Sequence, residues 1–311
     1  NLACALERWA SSPSYQPELR VPAWVSLVGA LLCFGLMFFI HVLAAAVALG
    51  AVLAIWAALN RRAMRHSWGD ARHALWAALV RTGLLGLREA RWHPRNWRPN
   101  VVVLGGPPAA RTHLADLGAW IGGDKGLVTY FRLVEGPIPA LAPRRAALEQ
   151  ETRAALQARH PQLLSRVDLC GRIYDGVRNV AQSYGLAGFQ ANTVILGWSR
   201  KNDRARAYTA LLRDLVLLDK SLILVDHDAD RGFGRHRRID VWWGGLDQNG
   251  GLMLLLARLL REQPTWRDAE VRFQMIVDHE KQVAAAEERL EALLREAKVR
   301  ARRHVHVRAT R

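Results

Sequence analysis

Three short runs hold the residue types that bind phosphate or metal. They are Gly105-Gly106, Gly197-Trp198-Ser199-Arg200-Lys201, and Asp226-His227-Asp228 with Asp230 just beyond. Glycines beside cations can cradle a phosphate through free backbone N–H groups and charge. Neither a Walker lysine motif nor a dinucleotide fingerprint is present, and Pro107-Pro108 removes two donors where a phosphate loop needs them. A plain turn is the competing reading. The aspartates and His227 are metal-ligand types, but near neighbours on one loop seldom converge on one ion, so no metal site is assigned. His304 and His306 alternate near the end as strand or tail residues. No serine nucleophile elbow and no helical zinc pair occurs, so no catalytic residue is assigned and no enzyme is expected.

Those runs matter because of where they fall. Seven apolar stretches after Asn100 read as strands: Val101 to Leu104, Leu127 to Val134, Val167 to Ile173, Thr193 to Leu196, Leu222 to Val225, Ile239 to Trp243 and Val271 to Val277. Several are separated by enough chain for a crossover helix, which predicts a βαβ pattern and a mainly parallel sheet. Val101-Val102-Val103-Leu104 and Leu222-Ile223-Leu224-Val225 are continuous apolar runs, as expected of strands covered on both faces. The glycine and aspartate runs then stand at carboxyl strand ends, where open α/β sheets bind ligands. A last helix, His279 to Lys298, carries Val283, Ala286, Leu290, Leu294 and Ala297 on one side; it is expected to cap the domain or to dimerise it.

The amino-terminal part belongs to a different solvent. From Val21 to Leu59 there are 39 residues without Asp, Glu, Lys or Arg in a chain that is 23% charged. Random order gives such a window with a probability of roughly 0.77 to the 39th power, about four in 10⁵, so the run points to lipid, which penalises charge. One straight helix of that length is about twice the ~30 Å hydrocarbon core, which predicts a transmembrane hairpin: Trp24 to Ile40, a turn at His41, and Val42 to Leu59. Arg8 and Arg20 precede it and Arg61, Arg62 and Arg65 follow, so both ends are expected on the cytoplasmic side.

Residues 61–99 combine Arg61, Arg62, Arg65, Arg72, Arg81, Arg88, Arg91, Arg95 and Arg98 with Trp68, Trp76, Trp92 and Trp97, and read as a basic amphipathic juxtamembrane linker. The domain boundaries are therefore 1–22 connector, 23–60 hairpin, 61–99 linker and 100–311 α/β domain. The net charge of +16 lies wholly beyond residue 59. It does not mark a nucleic-acid binder, because the arginines are dispersed beside carboxylates without a groove-reading motif. Cys4, Cys33 and Cys170 fit neither a metal nor a disulfide pattern, and the opening at Asn1 without a signal peptide suggests the carboxyl-terminal part of a longer protein.

Specific strings resemble one family. Residues 12–33 (SPSYQPELRVPAWVSLVGALLC), 67–75 (SWGDARHAL) and 96–108 (NWRPNVVVLGGPP) resemble the end of the cation-chloride cotransporters, solute carrier family 12. Residues 175–198 (DGVRNVAQSYGLAGFQANTVILGW) and 239–260 (IDVWWGGLDQNGGLMLLLARLL) resemble its cytoplasmic domain. The resemblance implies a twelve-helix secondary transporter of the amino acid-polyamine-organocation superfold. The α/β region would be its universal stress protein-like cytoplasmic domain, serving dimerisation and regulation. Chloride and sodium or potassium would bind in broken helices outside this sequence, so no ion ligand carries over. Some family members hold a nucleotide in this domain, which marks Gly105, Gly106, Lys125, Gly197 and Lys201 as candidates for an adenine nucleotide; no cofactor is otherwise required. The long phosphorylatable insertions of animal members are missing here, leaving kinase control without a platform. The expected setting is the inner cell membrane, multi-pass, with residues 61–311 cytoplasmic, and the expected partners are the bilayer, the rest of the membrane domain and a second copy. Alternatives are an amino acid permease with a similar domain and a membrane-anchored nucleotide sensor.

Overall fold

The computed structural model describes residues 23–61, 71–89, 97–123, 125–199, 204–244, 247–297 and 299–308. The chain divides into two compact units, Asn1–Arg91 and Trp92–Arg311.

In the first unit two helices, Ala23–Ile40 and Val42–Arg61, meet at His41. The expected hairpin requires correction. A helical hairpin needs a connection of about two to five residues, whereas here the break is His41 alone. Hydrogen bonds of helical spacing pass through it, His41 N–H to the Met37 carbonyl at 3.4 Å and Ala45 N–H to the His41 carbonyl at 3.0 Å. The Ala44 N–H also donates to His41 Nδ1 at 3.3 Å, capping the second helix locally. The segment is an interrupted helix. Among the described residues no helix is long and apolar enough to cross a membrane. The 18 residues of the first helix rise about 27 Å, short of the ~30 Å core, and the second is rich in alanine and ends on Asn60 and Arg61. Large apolar side chains nevertheless stand exposed along both, with Phe39 at 91% and Ile40 at 78%. A third helix, Ala71–Glu89, occupies the expected linker and exposes Trp76, Val80 and Leu87.

The second unit is α/β, with parallel pairing throughout. Its strands are β1 Asn100–Gly105, β2 Leu127–Glu135, β3 Leu164–Cys170, β4 Thr193–Gly197, β5 Ser221–Val225, β6 Arg238–Trp242, β7 Glu270–Val277 and β8 Arg302–Val307. They form two sheets, β3-β2-β1-β4-β5 and β6-β7-β8, rather than one. β3 starts and ends earlier than expected: Ile173 opens the helix Ile173–Ser183, because Gly171 and Arg172 end the strand first.

In the larger sheet β1 is central, and Val101, Val102 and Val103 are wholly buried because each face is covered. Helices Thr112–Gly122 and Arg145–Gln157 supply Leu114, Ala115, Ala119 and Leu156 on one side. Helices Ile173–Ser183 and Ala205–Leu217 supply Val177, Val180, Leu211 and Leu215 on the other. The smaller sheet rests on Leu254 of helix Asp247–Glu262 and Leu290 of helix Val283–Ala297, so the last helix caps this sheet. His304 and His306 resolve as strand residues of β8.

Candidate functional site

The strand order reverses between β1 and β4, and such a switch point opens a crevice beyond the carboxyl strand ends. A cleft of about 520 Å³ lies there, reached by Gly105, Gly106, Gly197, Trp198 and Ser199 from the two strand ends. Its apolar floor comes from Leu104, Leu133, Val177, Leu196 and Leu211. Arg111, Arg204, Tyr174 and Tyr208 complete the lining, which holds two cations and no carboxylate among the described residues.

Two phenols hold the glycine turns in place. The Tyr130 hydroxyl donates to the Gly106 carbonyl at 3.0 Å, and the Tyr208 hydroxyl donates to the Gly197 carbonyl at 3.1 Å. Burial pushes Tyr130 up to about 12 against the opposing pull of Arg111 and Arg132, and burial raises Tyr208 as well, so both stay donors at neutral pH. Gly105 is required because a Cβ there would collide with the Tyr130 hydroxyl. At Gly197 a Cβ would come within 2.9 Å of Arg111 Nη1, so the small residue is what seats that guanidinium against the strand end. Trp198, half exposed, stands edge-on to Tyr208 at 6.2 Å between centroids, and Tyr174 lies 6.2 Å from the same ring. The cleft thus offers flat aromatic surface beside positive charge.

The five residues marked from sequence are distributed unevenly. Gly105, Gly106 and Gly197 line this one cleft. Lys125 does not: it precedes β2 at the amino edge of the sheet, roughly 20 Å away for a six-residue strand, where its Nζ meets Glu262 Oε2 at 2.6 Å. Lys201 and Arg200 lie outside the described residues. Arg111, Tyr174, Arg204 and Tyr208 were not singled out in the sequence. Arg111 stands six residues past the end of β1, beyond two prolines, and the other three sit on or just before helices whose amphipathic pattern reads simply as core.

Elsewhere the chemistry-bearing types have structural partners. Asp228 Oδ1 accepts the Asp230 and Arg231 backbone N–H groups at 2.9 and 3.4 Å, a turn device. No cluster of three metal-ligand side chains forms among the described residues. A larger hollow of about 750 Å³ beside Cys170 interleaves Arg145, Arg166 and Arg172 with Asp168 and Asp175, and its Arg166–Asp168 pair closes at 2.9 Å.

The Lys125–Glu262 contact makes a measurable forecast. Glu262 is held below the usual carboxylate range first by its hydrogen bond from Lys125 and then by the charges of Lys125 and Arg258. A depressed carboxylate stabilises the fold above its unfolded value, near 4.5, and that contribution disappears as pH falls through the folded value. Since Lys125 is largely exposed, Lys125→Ala is expected to cost under about 1 kcal/mol at pH 7. In urea titrations the deficit should shrink as pH falls below 4.5 and through the lowered folded value.

Residues 231–307 match the family model of solute carrier family 12. This carboxyl-terminal stretch is similar to solute carrier family 12. It begins in the loop before β6 and ends with β8, so the family signature coincides with the smaller sheet and its two helices. The chain is also similar in fold to the cytoplasmic domain of a prokaryotic cation chloride cotransporter, at 18% identity and a TM-score of 0.52 over 68% of this chain and 80% of the other. A universal stress protein from Archaeoglobus fulgidus DSM 4304 aligns at 10% identity and a TM-score of 0.45, over 68% of this chain and 78% of that one. The solute carrier family 12 match extends over the last of the resembling strings, residues 239–260.

Proposed function

We propose that this chain is the carboxyl-terminal part of a secondary active transporter coupling chloride to sodium, potassium or both. In this reading the Trp92–Arg311 unit is its cytoplasmic regulatory and dimerisation domain. The observation that carries the reading is the solute carrier family 12 match over residues 231–307, which falls on one complete sheet with its helices. The uncharged helices around His41 supply the membrane attachment. Their exposed Phe39, Ile40, Leu43 and Val47 suit acyl chains or neighbouring helices rather than water. Each is short for a full span, a mismatch that packing against further helices of a membrane domain or local bilayer thinning accommodates. The arginines that follow, Arg61, Arg62 and Arg65, favour the cytoplasmic side of an inner membrane for that end.

The test is flux. The transporter of which this chain forms part is placed in liposomes, and sodium and rubidium uptake are followed with chloride or gluconate outside. Uptake that falls to background without chloride is expected. Chloride-independent uptake of amino acids would instead select the permease alternative.

A second reading is favoured by the cleft itself, as a site for an adenine nucleotide. Arg111 and Arg204 suit its phosphates, and Trp198 with Tyr174 and Tyr208 suits its base. Calorimetry of the full chain in detergent with ADP should show binding at submillimolar concentration. Trp198→Ala should weaken it about fivefold to tenfold, the loss of one stacking surface. Absence of heat at millimolar ADP overturns this reading.

A further inference from the structure

His113 and His227 come from different elements and lie face to face beside the cleft. His113 is in the first turn of helix Thr112–Gly122, and His227 is in the loop after β5. Their ring centroids are 4.2 Å apart and their planes differ by 7°. Two uncharged imidazoles, or one charged and one neutral, tolerate that geometry. Two imidazolium ions do not.

The neighbours of the pair connect it to the cleft. Arg111 lines the cleft, seats its guanidinium at Gly197, and acts on His113 as a like charge. Among the described residues Arg111 is in no ion pair. Asp116, one turn along the same helix, pulls the other way, but its carboxylate is engaged by Arg159 at 2.8 Å and His160 at 2.6 Å. On the loop side, Asp226, Asp228, Asp230 and Arg231 are the charged residues nearest His227 in sequence. Asp228 is spent on backbone N–H groups and lies 3.8 Å from Arg231. Phe233 closes against His227 at 5.4 Å between centroids and is itself wedged on Trp120 at 4.9 Å, so the loop is anchored to the helix through rings.

We propose that the His113–His227 pair takes up a proton when an oxyanion settles against Arg111, so that proton and anion bind the cleft edge cooperatively. This inference rests on the cleft being an anion site. The free pair resists protonation: burial first, then His227 and Arg111, hold His113 below its ordinary value of 6.5. A bound oxyanion compensates the guanidinium charge and adds attraction for an imidazolium, which removes part of that resistance. Linkage is reciprocal, so whatever the anion does for proton affinity the proton does for anion affinity. The ligand class is a phosphate- or sulfate-type dianion, whether free or as the charged end of a nucleotide.

Binding of sulfate and of ADP to the full chain in detergent is measured by calorimetry at pH 6 and pH 8, at constant ionic strength, for the natural sequence and for the double variant His113→Phe with His227→Phe. Two phenylalanines keep the stacked flat rings and remove both imidazoles. The double variant His113→Leu with His227→Leu serves as the second variant if the first misfolds. Sulfate stays a dianion over this range, whereas the terminal phosphate of ADP titrates near pH ~6, and the variant subtracts that contribution. The natural sequence should bind sulfate about threefold to tenfold tighter at pH 6, an average uptake of roughly a quarter to half a proton per anion over those two pH units, while the variant shows at most a small change. Equal pH profiles in both proteins overturn the proton linkage and leave the cleft reading intact. Binding of neither anion at either pH overturns both.

Discussion

Gly105→Ala is expected to lose the cleft and much of the stability of the larger sheet. The added methyl would collide with the Tyr130 hydroxyl and lie 3.0 Å from its Cζ. Tyr130 cannot yield easily, since its ring is wholly buried and its hydroxyl holds the Gly106 carbonyl at 3.0 Å. Either the tyrosine shifts into a filled core or the Gly105-Gly106 turn lifts away. Overpacking costs about 1 to 3 kcal/mol, and the forfeited hydrogen bond about 1 more. Denaturant unfolding of Gly105→Ala should thus show a loss of about 2 to 4 kcal/mol, with cleft binding reduced by more than the stability loss alone explains. Tyr130→Phe separates the two effects: it removes only the hydrogen bond, and in the double variant Gly105→Ala with Tyr130→Phe the missing oxygen should restore part of the stability. A Gly105→Ala protein as stable as the natural one would mean that the turn does not depend on close approach.

Asp116→Ala should be comparably severe, through charge rather than volume. The Asp116 side chain is 9% exposed and receives Arg159 through two nitrogens, at 2.8 and 3.1 Å, and His160 Nε2 at 2.6 Å. It therefore ties helix Thr112–Gly122 to the chain just past helix Arg145–Gln157. Arg159 is held above its ordinary value first by that hydrogen bond and then by the Asp116 charge. Breaking a buried pair costs about 3 to 5 kcal/mol, but Arg159 is 61% exposed and water recovers part of that, leaving about 2 to 3. Double-mutant cycles with Arg159→Ala and with His160→Ala isolate the two couplings. Coupling below about 0.5 kcal/mol in both would show that Asp116 acts through burial alone.

These two sites illustrate what a linear reading reaches. Gly105 was legible because it ends an apolar run, and a glycine at a carboxyl strand end has a mechanical meaning in a parallel sheet. Tyr130 was hidden within Leu127 to Val134, where alternation marks it as core and nothing marks its hydroxyl. Lys125 shows the converse: the family resemblance suggested a nucleotide partner, and its place before β2 puts it at the amino edge of the sheet, paired with Glu262 across 137 residues of chain. The interrupted helix at His41 was misread for a similar reason. Absence of charge says which solvent a segment prefers, but whether the chain reverses depends on how many residues leave helical geometry, and only His41 does.

The amino-acid order by itself determined the division of the chain into an uncharged helical part and a parallel α/β part, because polarity and period are local properties. It also located the strand ends that carry glycine. Only the tertiary structure decided that β1 and β4 are neighbours, that two sheets form, and that Arg111, Tyr208 and the stacked histidines gather at one edge. Those juxtapositions depend on crossover packing between residues tens of positions apart, and no local pattern encodes the distance between them.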